Sequence, residues 1–189
     1  MTSPTTSPAT LADLSGTYVL DPAHTRIGFV ARHAMVTKVR GQFTDFEGSG
    51  VVDASDLTKS TVTVTIQAAS IDTRNEQRDT HLRSNDFLAM EEYPQITFTS
   101  TGIQQTGPTS VELTGDLTVR GVTNTVTIPF EFEGAATDPF GNLRVGFEGS
   151  VVVNRKDYGV TWNVALETGG VLVSDKVTLE FEISAIKTA

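Results

Sequence analysis

From Thr61 to Ala68 every second residue is apolar, Val62, Val64, Ile66 and Ala68 alternating with Thr61, Thr63, Thr65 and Gln67. A period of two puts one set of side chains on each face of an extended chain, so this run predicts a half-buried β-strand. Near the C-terminus Val177, Leu179, Phe181, Ile183 and Ala185 alternate with Thr178, Glu180, Glu182 and Ser184, giving one apolar and one largely acidic face. The pattern recurs in Val126, Ile128, Phe130 and Phe132, and in Val145, Phe147, Val151 and Val153. Shorter versions are Ile96 with Phe98, Val111 with Leu113, Leu117 and Val119, and Ile27 with Phe29 and Ala31. Pro129 has no N–H for a ladder and predicts an edge, a bulge or a local break.

Between Val39 and Asp53 the apolar parity switches, from Val39, Gly41 and Phe43 to Phe46, Gly48, Gly50 and Val52, which predicts a β-bulge near Asp45. Asp138-Pro139-Phe140-Gly141 suits a type I turn, and Arg120-Gly121-Val122 separates two strands. One helical insertion is expected between Ile71 and Phe87, where Thr73-Arg74-Asn75-Glu76 fits a capping box and Asp79 with Arg83 forms a favourable i,i+4 pair. About eight strands, mostly sequential, with one short helical insertion and neither repeat nor linker, predict an all-β antiparallel sheet that closes into a single barrel. The domain is expected over residues 13–189, after a disordered N-terminal tail at residues 1–12.

An eight-stranded barrel either fills itself with side chains or holds one small ligand. Small residues at positions assigned inward (Gly41, Gly48, Gly50, Ala68, Ser100, Gly115 and Gly149) favour a cavity, as room left by absent side chains. Its wall would be hydrocarbon and aromatic, which selects a lipid over a sugar, nucleotide or peptide. The wall residues expected from parity are Ile27, Phe29, Phe43, Val64, Ile66, Ala68, Phe98, Gly115, Leu117, Phe130, Phe132, Phe147, Val151 and Phe181.

Charge narrows the partners. A formal net charge of -9 repels phosphate backbones and argues against nucleic acid. The chain has no cysteine, which removes disulfides and thiolate chemistry. No apolar run approaches the roughly 18 residues of a membrane span, and the opening residues lack a secretory signal, so a cytoplasmic location is expected and the chain is not expected to span a membrane.

Candidate chemistry is sparse. His24, His33 and His81 show no metal-ligand spacing, no G-x-S-x-G elbow occurs, and Glu131, Glu133, Glu180 and Glu182 alternate on polar strand faces as solvated surface. His33 shares the inward parity of Ile27 and Phe29, and Arg78 and His81 lie in the donor-rich insertion. These three are candidates for contact with a lipid headgroup.

The string Arg78-Asp79-Thr80-His81-Leu82, followed by Asn85-Asp86-Phe87-Leu88 and Tyr93-Pro94-Gln95-Ile96-Thr97-Phe98, resembles the central signature of the YceI-like family of polyisoprenoid-binding proteins. Asp21-Pro22-Ala23-His24-Thr25, the 115–123 segment and Arg155-Lys156-Asp157-Tyr158-Gly159 support the resemblance, which runs from about Gly16 to Lys187. Thr25 stands where the family often has Ser, and Leu88 where a second Phe is common. The resemblance implies a lipocalin-like eight-stranded barrel with a helical excursion, a homodimer, and an interior that holds the tail of a polyprenyl lipid or isoprenoid quinone. The expected function is therefore a binding or carrier protein for a long-chain isoprenoid lipid, not an enzyme, with no cofactor and no metal. Two rivals are an enzyme acting on a lipid headgroup at the barrel mouth, through His33, Arg78 or His81, and a closed-core structural module.

Overall fold

In the computed structural model, which describes residues 9–189, alternation in the sequence becomes alternation in burial: Ile128, Phe130 and Phe132 are buried, while Thr127, Pro129, Glu131 and Glu133 between them are exposed. Among these residues eleven strands form: β1 (Gly16–Leu20), β2 (Arg26–His33), β3 (Thr37–Phe43), β4 (Phe46–Val52), β5 (Thr61–Gln67), β6 (Ile71–Asp72), β7 (Gln95–Gln105), β8 (Ser110–Val119), β9 (Val122–Thr137), β10 (Leu143–Asn154) and β11 (Lys176–Lys187). They make one antiparallel sheet in the order β1-β4-β5-β7-β8-β9-β10-β11-β2-β3-β6, and a further pairing of β1 with β11 closes it.

β1 and β2 lie end to end along one edge of β11, with Leu20 opposite Ala185 and Arg26 opposite Glu182. β3 and β4 also continue one another, β3 beside β2 and β4 beside β1. Each pair is one broken stave, and with the two-residue β6 set aside the sheet is the closed eight-stranded barrel expected from the sequence. Thr25 bridges the first break, its hydroxyl donating to the Ser184 carbonyl (3.0 Å) and accepting from the Ser184 N–H (3.1 Å) in place of a backbone pair. The second break, at Thr44-Asp45, replaces the bulge expected there. Phe43 faces Ile71 and Phe46 faces Ile66, so the parity switch is a corner where the chain changes partners. Register shifts lie elsewhere, at Gly146/Phe147 and Ser100/Gly102. Pro129 falls one residue past Phe130, where the registered pairing of β9 with β10 ends.

Turn chemistry behaves as its residues dictate. The Gly141 N–H donates to the Asp138 carbonyl (3.0 Å), and the Asp138 carboxylate accepts from the Phe140 and Asn142 N–H groups. Arg120 and Gly121 both have positive φ (51° and 72°), the backbone of a tight hairpin whose twist matches its strands.

The helix α1 (Glu76–Arg83) is shorter than the expected insertion and starts differently. Asn75 is the N-cap, its side chain accepting from the Arg78 N–H (2.9 Å), in place of a capping box at Thr73. Asp79 is buried and must be hydrogen-bonded. It takes the N–H and hydroxyl of Thr73 at 2.9 and 2.5 Å, so the expected pair with Arg83 does not form. Arg83 reaches the Ala69 carbonyl (2.8 Å) and Glu76 (3.5 Å) instead.

Of the expected N-terminal tail, residues 1–8 lie outside the described residues. Leu11–Asp13 form a 3-10 turn, with Leu11 packed on the cluster of Leu14, Tyr18, Phe132, Val145 and Ala185 at one barrel end. At the opposite end, here called the mouth, gather the β2–β3 hairpin tip, the 68–94 excursion, the Arg120-Gly121 turn and residues 155–175. No helix among the described residues is long and apolar enough to cross a membrane.

Candidate functional site

The barrel encloses a cavity of about 420 Å³. Among the described residues no large side chain is completely buried, although the wall is rich in Phe, Leu, Ile and Val. Inward-facing groups keep accessible surface because they face a void, not one another. The volume lies within the roughly 300–1,000 Å³ of small-molecule sites. Ten of the expected wall residues line it: Ile27, Phe29, Phe43, Val64, Ile66, Phe98, Leu117, Phe130, Phe147 and Phe181.

The small inward residues divide. Gly50 lines the cavity as expected, with no side chain closer than 3.5 Å to where its Cβ would stand, whereas at Gly41, Gly48, Gly115 and Gly149 a neighbouring strand's side chain has taken the space. A Cβ on Gly149 would stand 2.6 Å from Phe130 Cδ1, one on Gly48 would stand 2.6 Å from Leu20 Cδ1, and one on Gly41 would collide with Phe29. Gly115 lies beneath the Phe98 ring and does not line the cavity. These glycines let large groups lie flat on the wall, and the cavity is the room those groups leave at the axis.

The other expected residues sit elsewhere. Ala68 starts a 3-10 turn, donates its N–H to the Pro94 carbonyl (2.9 Å) and is buried behind the wall. Phe132 packs on Phe147, ring centroids 5.3 Å apart, in the cluster at the closed end. Val151 packs against the core without reaching the cavity. His33 is exposed, because the β2–β3 hairpin runs on past the rim. It shares a separate groove with Thr37, Lys38, Arg40, Thr73 and Arg78. Arg78 fastens the excursion, its Nε donating to the Thr73 hydroxyl and its Nη2 to the Thr73 carbonyl, each at 2.7 Å. His81 lies 2.8 Å from an Asp86 carboxylate oxygen and stacks edge-on against Trp162 and Phe87, outside the cavity.

Parity could not find the residues that close the two ends. Leu11, Leu14 and Tyr18 close one; Leu82, Phe87 and Leu88 of the excursion cover the mouth. Arg155, Tyr158, Val160 and Val173 complete the mouth from the segment before β11. The sequence signals for the mouth are the strings at residues 78–82, 85–88 and 155–159, whose role periodicity does not reveal.

Arg155 is 6% exposed and stitches that segment together. Its Nε donates to the Ser174 carbonyl (2.8 Å), its Nη1 to those of Val160 (2.8 Å) and Trp162 (2.9 Å), and its Nη2 to that of Val173 (3.4 Å). Burial pulls its pKa down, opposed by the nearby Asp175 charge. Burial also pushes the Tyr158 phenol up, with Asp157 adding to the effect. At the far end Arg144 bridges Asp21 and Asp138. The Asp138 carboxyl is held at about 2, chiefly by the Asn142 N–H and further by Arg144. No group of three or more potential metal ligands occurs among the described residues.

The model of the YceI-like domain matches residues 18–185. A UPF0312 protein of Staphylococcus epidermidis is 42% identical over 166 residues, covering 87% of this chain and 93% of that protein. The crystal structure of a Campylobacter jejuni YceI protein superposes with a TM-score of 0.70 at 28% identity, over 84% of this chain and 90% of that one. A polyisoprenoid-binding domain from Saccharophagus degradans, 14% identical, shares the fold with a TM-score of 0.70 over 90% of this chain and 98% of its own.

Proposed function

Given that the chain belongs to the YceI-like family, we propose that it is a binding or carrier protein holding a long-chain isoprenoid lipid, a polyprenyl lipid or isoprenoid quinone, without performing chemistry on it. The observation that carries this reading is the closed-barrel cavity, about 420 Å³ with a wall almost wholly of aliphatic and aromatic side chains. Burial drives such binding: at roughly 0.8 kcal/mol per CH₂ removed from water, part of a polyprenyl chain supplies ample gross energy with little polar recognition. The fold-mate from Saccharophagus degradans, described as polyisoprenoid-binding, agrees with the choice of ligand class. A carrier role is supported by where the headgroup-chemistry candidates lie: His33 and Arg78 line a groove apart from the cavity, and His81 is engaged with Asp86.

The test is gentle purification from lipid-replete cells, native mass spectrometry and organic extraction. The protein is expected to carry a long-chain isoprenoid in near-stoichiometric amount. Quantitative recovery of ligand-free protein would overturn the proposal.

A further inference from the structure

The β2–β3 hairpin outruns the barrel rim at the mouth, and its tip carries apolar residues into solvent. Met35 is 59% and Val36 77% exposed. Ala34 and Met35 both have positive φ (50° and 66°), a conformation that ordinarily selects Gly or Asn, so side chains are presented here at a backbone cost. The tip is nevertheless held in place. The Ala34 N–H donates to the Leu172 carbonyl (2.7 Å), the Ser174 N–H donates to the Arg32 carbonyl (3.1 Å), and His33 pairs with Val173. It is thus fastened to the 155–175 segment that covers the cavity, where Val164, itself exposed, pairs through its carbonyl with the Leu172 N–H (2.9 Å).

The stem of the hairpin is cationic. Residues 22–44 hold four Lys or Arg and no Asp or Glu, in a chain of formal net charge -9. Arg26 and Arg40 share Glu180, at 3.4 and 3.7 Å. Arg32 and Lys38 stand opposite each other across the hairpin, both exposed, and neither forms an ion pair among the described residues. Like charges directly opposite on an antiparallel pair repel. The groove that Lys38 and Arg40 share with His33 and Arg78 has no carboxylate in its lining among the described residues. Uncompensated cations beside an exposed apolar tip match a surface that is anionic and also accepts hydrocarbon.

We propose that the β2–β3 hairpin docks the mouth onto an anionic lipid bilayer: Met35 and Val36 enter the interface, and Arg32, Lys38 and Arg40 meet the lipid phosphates. Charge selects this occupant. Each cation near an anionic membrane strengthens partition roughly fivefold, and screening over about 8 Å at physiological salt confines that attraction to the hairpin. The acidic remainder of the chain is repelled, which turns the mouth and not the closed end toward the membrane. Glu167, exposed on the loop closed by the Ala165–Val171 bridge, opposes docking by one charge. This inference rests on the lipid-binding reading above and adds the surface from which the cavity is loaded.

The experiment is co-sedimentation of the whole protein with vesicles of phosphatidylcholine alone and of phosphatidylcholine containing phosphatidylglycerol, at low and high salt. Wild type is expected to bind the anionic vesicles only, and to leave them at high salt. Arg32→Glu with Lys38→Glu, and separately Met35→Ser with Val36→Ser, are each expected to weaken binding roughly tenfold or more at an unchanged melting temperature. Phe140→Ser and Lys59→Glu, both exposed and outside the hairpin, are expected to bind as wild type does. Equal binding to both vesicles, full binding by either hairpin variant, or an equal loss in either control would overturn the docking face. So would wild type that ignores vesicles, whether it stays free or associates through the hairpin with a second copy. The two readings fail separately. Protein that carries an isoprenoid but ignores vesicles overturns the docking face alone, whereas lipid-free protein that docks overturns the carrier reading and leaves the docking face standing.

Discussion

Gly149 sits on β10 between Phe130 of β9 and Phe181 of β11, and the two rings meet across it with centroids 5.9 Å apart. A Cβ here would be 2.6 Å from Phe130 Cδ1 and equally close to the Pro129 carbonyl, so both a ring and a backbone atom would have to yield. The ring can move only toward the axis, into the cavity. Gly149→Ala is therefore expected to lose about 1–3 kcal/mol of stability, as overpacked interiors do, and to bind lipid less well. Denaturant melts and lipid titration read the two effects. A double-mutant cycle with Phe130→Leu should show coupling, because the smaller side chain vacates the contested space. Additive effects would mean that the ring is not seated on the glycine.

At the scale of elements, the mouth is built from irregular segments tied to strands by arginines. Arg120, in the tight turn between β8 and β9, donates from Nη1 to the Asn85 and Phe87 carbonyls at 2.6 and 2.7 Å. It thereby fixes the end of the excursion that carries Phe87 onto the cavity. Arg78 ties only the start of the same excursion, through Thr73. Arg120→Ala is expected to cost about 1–2 kcal/mol and to raise amide hydrogen exchange at residues 85–88 without raising it in β5 or β7. Uniform exchange across the barrel would show that the turn supports the whole sheet and not the excursion.

For the molecule as a whole, a hollow axis separates stability from binding. A solid core loses stability when a side chain is enlarged, whereas a void can accept one. Leu113 lines the cavity from β8 and is only partly buried. Leu113→Trp is expected to fold with an unchanged or higher melting temperature and to lose most of its bound lipid. Calorimetry and extraction together check this. Loss of stability with lipid retained would mean that the new ring is turned into the wall.

The amino-acid sequence by itself determined the strand content, the inward face of most strands and the two tight turns. Period-two alternation and turn chemistry act over a few residues and need no distant partner. Ile27, Phe29, Val64, Ile66, Phe98, Leu117, Phe130, Phe147 and Phe181 reached the cavity because each stands on a regular strand whose parity holds. Parity misplaced Ala68 and His33 where a strand ends in a 3-10 turn or outruns the rim, since it has no term for where the barrel stops. Tertiary structure alone decided which ring each glycine seats and that Asp79 serves Thr73 instead of Arg83. It also brought Tyr18 and Tyr158 to opposite ends of one cavity. Each depends on pairing between strands or on segments remote in sequence, and the free energy of those contacts exists only once the sheet has closed.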